Sequence, residues 1–103
     1  MSRLYSTQLY AGGEFSGDVG PFSPPSGTIW VVRHVAVTVY EIGSQTVNCY
    51  LSSGPVVWQV VLDGSPFFVQ FESRAVLLAS DGIHLNATAG ATVLMSGYQL
   101  TTP

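Results

Sequence analysis

Residues Thr28–Tyr40 read TIWVVRHVAVTVY, a run of β-branched and aromatic side chains that fits a pleated, half-buried surface. Trp30 and Val32 share one parity, whereas Val35, Val37 and Val39 take the other, and the change falls at Arg33-His34. Two arrangements explain the switch. A β-bulge inserting one residue keeps a single apolar face and turns Arg33 and His34 outward; alternatively both faces of the strand are covered. Since no stretch of the chain repeats apolar residues at helical spacing, and runs of this kind recur between Gly, Pro, Ser, Asn and Asp, the fold class is all-β.

Reading towards the C-terminus, Val47, Cys49 and Leu51 alternate with Thr46, Asn48 and Tyr50, which places Cys49 on the apolar face. Ser53-Gly54-Pro55 turns the chain into residues 56–62. Asp63-Gly64 is a strong hairpin dipeptide, so 56–62 and 67–71 are expected to pair antiparallel. Residues 74–79 form a short apolar run, Asp81-Gly82 a further turn, and Ile83, Leu85 and Ala87 alternate with His84, Asn86 and Thr88. A last strand is expected from Thr92 to about Leu100. Towards the N-terminus, residues 3–10 read as a weak strand with mixed faces, an edge strand or an exchanged arm. The Gly/Pro-rich stretch 11–27 reads as a long loop or docking arm, or a loop tucked onto its own domain. The expectation is a single domain over 1–103, an antiparallel β-sandwich or jelly-roll-like barrel of about seven to nine strands.

Composition narrows the function. The chain has no lysine, three arginines and six carboxylates, only 9% charged residues against 47% apolar ones, and a mean hydropathy of +0.35. Soluble domains usually have roughly a quarter of their residues charged. A domain of this size cannot hide so much apolar side chain in its own core, so part of it is expected to lie against other subunits. In the arm, Phe15 and Phe22 are the candidate anchors. The strands 56–62, 67–71 and 74–79 carry apolar residues at both parities, so one face is expected to be core and the other an interface that includes Val57, Val61 and Phe68. A homotrimer or another cyclic oligomer is the expected state.

Other classes find less support. A net charge of −3 without a basic cluster offers no footprint for phosphate backbones, so direct nucleic-acid binding is not expected. No apolar run approaches the roughly 20 residues of a membrane-spanning helix. Met1–Thr7 has one positive charge with no apolar stretch behind it, so no secretory signal is expected and assembly is placed in a cytoplasm. One cysteine, Cys49, precludes an internal disulfide, and His34 and His84 lack metal-ligand spacing. The carboxylates mostly sit beside Gly or Ser in turns, where Asp caps backbone. No catalytic residue, metal or cofactor is expected. Trp58, Tyr50, Phe68 and Tyr98 are candidates for a sugar-stacking platform, which makes a carbohydrate-binding module the alternative reading; a cupin-like enzyme would need a histidine cluster that the sequence lacks.

Three stretches resemble a known group. Pro25-Ser26-Gly27-Thr28-Ile29-Trp30-Val31-Val32-Arg33-His34-Val35, Arg74–Ile83 and Ser96-Gly97-Tyr98-Gln99-Leu100 are similar to strand and turn motifs of small all-β structural proteins encoded among the virion genes of tailed phages, notably siphophages of actinobacteria. The resemblance spans about residues 25–100. It implies a non-enzymatic particle component with cyclic symmetry, a capsid decoration protein or a head-tail or minor tail accessory, whose partners are itself and other virion proteins and whose location is the virion.

Overall fold

A computed structural model describes residues 7–63 and 68–101. Seven strands follow one another: β1 (Thr7–Ala11), β2 (Phe15–Phe22), β3 (Thr28–Val39), β4 (Gln45–Leu51), β5 (Val56–Leu62), β6 (Phe68–Leu78) and β7 (Ile83–Thr101). They form one antiparallel sheet, ordered β5-β4-β7-β3-β6, with β1 and β2 also paired to β7. The all-β expectation holds.

The organising element is β7. The sequence suggests two strands here, but Ile83–Thr101 is one strand of 19 residues. Ile83, Leu85, Ala87, Ala91, Val93 and Met95 all share one parity and are all buried. The first part of β7 pairs with β2 and β4, the second with β1 and β3. Because β3 and β4 follow one another along β7, as β1 and β2 do, the sheet consists of long strands that bend together near Ala87–Ala91. It folds over its own apolar face into two layers, β1-β7-β3-β6 and β2-β7-β4-β5, nearly closed into a barrel. Small side chains, Ala87, Ala89, Gly90 and Ala91, occupy the crease, where a β-carbon on Gly90 would come within 2.9 Å of Glu14 Oε2. Side chains take over where the ladder is interrupted: Thr88 Oγ1 accepts from the Thr46 amide at 3.0 Å and donates to buried Gln45 Oε1 at 2.9 Å.

The parity switch in β3 resolves as a bulge. Register shifts between Val32 and His34 against both β6 and β7, leaving Arg33 and His34 exposed while Trp30, Val32, Val35, Val37 and Val39 are buried on one face. Opposite the bulge, a β-carbon on Gly97 would overlap the Val31 carbonyl oxygen, so the close backbone approach requires glycine.

Two expectations are corrected. β5 pairs with β4 and β6 with β3, so 56–62 and 67–71 do not form a hairpin among the described residues; Gly64–Phe67 lie outside them, as do residues 3–6. What joins β5 to β6 across the layers is a Trp58–Phe71 edge-to-face contact with ring centroids 5.5 Å apart. Trp58 is buried and Phe71 half-buried at this contact, and a turn dipeptide does not by itself decide which strands pair. The Gly/Pro-rich 11–27 stretch contains strand β2, which tolerates its glycines and proline because its register slips twice against β7.

Replacing Gly97 with alanine should lower stability by about 1–3 kcal/mol, since the added methyl must push the bulge from β7. Equilibrium denaturant unfolding measures it, and an unchanged midpoint would contradict the close approach.

Candidate functional site

The two outer faces differ in chemistry. On the β2-β7-β4 layer the outward positions are mostly polar. In the β4–β7 register Asn48 faces Asn86 and Tyr50 faces His84, while β2 sets Asp18 beside Asn86 on the other side. This alternation builds a cluster. Tyr50 donates to Asp18 Oδ1 at 2.5 Å, and Asn86 Nδ2 donates to the same oxygen at 3.5 Å. His84 stacks on Tyr50, with centroids 4.8 Å apart and planes 6° from parallel. Its Nδ1 lies 3.5 Å from Asp18 Oδ2, and its Nε2 lies 2.8 Å from Ser52 Oγ.

A serine, an imidazole and a carboxylate in this order resemble the components of acyl-transfer sites. The surroundings favour a tie instead. A nucleophilic serine relies on free N–H groups to hold the developing oxyanion, whereas the Ser52 amide donates to Gly82 O and the Gly54 amide to Leu51 O, each at 2.8 Å. Asp18 Oδ1 is taken up by Tyr50, and His84 Nδ1 makes no aligned hydrogen bond. The cluster fastens β2, β4 and the turn after β4 to β7. Hydrogen bonding from Tyr50, with smaller contributions from Asn86 and His84, holds the Asp18 carboxyl below its ordinary pKa, and the same bond raises that of Tyr50. Sequence reasoning missed this site because Asp18 lies in a stretch that reads as a loop.

On the β7-β3-β6 layer exposed apolar residues lie towards both ends, with Arg33, His34, Gln70, Glu72 and Arg74 between them. Phe68, Val76, Leu78, Leu94 and Leu100 are exposed there, and Tyr40, whose hydroxyl lies 3.2 Å from Thr92 Oγ1, borders the same face. Arg33, Arg74 and Val31 line a hollow of about 350 Å³ in its middle. A second hollow of about 380 Å³ lies at one end, lined by Ala36, Phe68, Leu94 and their neighbours.

The residues singled out from sequence divide between these surroundings. Phe15 is half-buried and packs on the core. Phe22 is stacked on Tyr10, with centroids 4.6 Å apart, and approaches Trp30. Both pack β2 against their own domain, the arrangement expected of a segment tucked onto its own domain. Val57 is half-buried against the core, whereas Val61 and Phe68 are exposed on strands at opposite ends of the sheet order. The aromatic residues do not assemble into one platform: Trp58 lies in the core, Tyr50 is on one outer face, and Phe68 and Tyr98 are on the other. Cys49 is fully buried, and that burial pushes its thiol pKa up to about 12. No group of His, Cys, Asp and Glu suited to a metal ion occurs among the described residues. The chain matches no protein-family model and no curated protein.

Two measurements test these surroundings. A depressed folded-state pKa contributes stability above the unfolded value and loses it as pH falls through the folded one. The melting-temperature gap between wild type and Asp18→Asn should therefore be widest near neutral pH and close on acidification. A gap that persists in acid would contradict the tie. Cys49 should resist a thiol reagent in the native protein and react on unfolding; rapid labelling of the folded chain would contradict its burial.

Proposed function

We propose that this chain is a non-enzymatic structural protein of a tailed-phage particle, a small symmetric accessory of the capsid decoration or head-tail and minor tail type. The observation that carries the reading is the exposure of Phe68, Val76, Leu78, Leu94 and Leu100 on the outer face of the β7-β3-β6 layer in a chain with only 9% charged residues. Exposed apolar side chains of this kind, in a chain so poor in charge, are what a particle component covers with its neighbours. The motif resemblance over about residues 25–100 supports the same reading, and β3, which carries its first motif, also forms the middle of that face. In this role the polar cluster around Asp18 holds the opposite layer together and the Arg33/Arg74 hollow sits within the contact surface.

Protein identification on purified particles should find this polypeptide in many copies per particle. Its consistent absence from particles that assemble normally would overturn the proposal.

A further inference from the structure

The outward residues of β6 read Phe68, Gln70, Glu72, Arg74, Val76, Leu78, and all six are exposed. The order is self-complementary. Reversing the strand sets Phe68 against Leu78, Gln70 against Val76 and, at the centre, Glu72 against Arg74. Neither charged side chain makes an ion pair within the chain among the described residues. Arg33 shares the hollow with Arg74, so two of the chain's three arginines lie at the centre of a face whose carboxylate is Glu72. The strands beside β6 continue the scheme. At one end, Leu78, Ile29 and Leu100 are in register, as are Val76, Val31 and Tyr98. At the other end lies the hollow bounded by Ala36, Phe68 and Leu94. One end is bulky and the other concave.

From this pattern we infer that the outer face of the β7-β3-β6 layer docks on the same face of a second copy of this chain, about a two-fold axis in the plane of contact that crosses the strands near Ser73. That operation lays each strand antiparallel over its counterpart. It sets Glu72 of each copy against Arg74 of the other, with Arg33 alongside, and brings the bulky end of each face over the hollow end of its partner. An isologous contact needs this kind of self-complementary patch. Opposite charges fix the register, and covering the exposed side chains supplies the affinity. The inference rests on the outer face as a contact surface and narrows the expected homotrimer or other cyclic oligomer to a two-fold dimer.

Sedimentation of the full chain across a dilution series tests it, with the unfolding midpoint followed in the same samples to verify folding. Wild type should form a dimer. Glu72→Arg alone removes both carboxylates from among the arginines at the axis and should weaken the dimer by about tenfold or more, whereas adding Arg74→Glu restores the pair and should recover affinity to within about threefold of wild type. Val76→Glu should abolish the dimer and Val61→Glu should leave it intact. A monomer at every concentration, a trimer, a dimer indifferent to Glu72→Arg, or a dimer lost only in Val61→Glu would each overturn the inference. These results are independent of whether the chain is found in particles, so the failure of either reading is recognisable by itself.

Discussion

Everything in this fold depends on one side of β7 staying apolar through a bend. From Ile83 to Met95 the same parity points inward, first into one layer and then into the other, so a single strand supplies both walls of the core. Burying a Leu, Ile or Val side chain contributes about 1.5–3 kcal/mol, which is why the sheet closes over this face. The bend is possible because alanine and glycine occupy the crease and because Thr88 and Gln45 satisfy polar groups where backbone pairing stops.

The same constraint determines what is surface. Once one parity of β7, β3 and β6 is committed to the core, the other parity has no role inside the domain. On the opposite layer those outward positions include Tyr50, His84, Asn86 and Asp18, which contact one another, with exposed Val56 and Val61 on β5 beside them. On the β7-β3-β6 layer they include Phe68, Val76, Leu78, Leu94 and Leu100. The two faces of this small sandwich thus differ, one locking strands together and the other leaving large apolar side chains exposed.

Local alternation made part of this legible. The bulge at Arg33, the inward Cys49 and the alternation of Ile83, Leu85 and Ala87 were readable because parity is a local property of the chain, as was the all-β class. Pairing partners were not readable, since Asp63-Gly64 signals a turn but cannot report that β5 and β6 belong to different layers. Strand β2 was hidden by its own composition: its glycines and proline read as a loop, and its pairing depends on β7, which lies far along the sequence. Losing β2 also hid the Asp18 cluster, and it turned Phe15 and Phe22 from core contacts into apparent anchors. Of the candidate interface residues, Val61 and Phe68 reached the surface, but the face as a whole emerges only when β3, β6 and β7 are placed side by side.

As a contact surface, the outer face of the β7-β3-β6 layer would be covered by neighbours, whereas the face of Tyr50 and His84 would keep its exposure. Covalent surface labelling, read residue by residue at low and high protein concentration, tests this most directly. Phe68, Leu78 and Tyr98 should lose reactivity as concentration rises while Tyr50 and His84 keep theirs. Equal labelling of Phe68, Leu78 and Tyr98 at every concentration, or protection confined to the Tyr50 and His84 face, would contradict it.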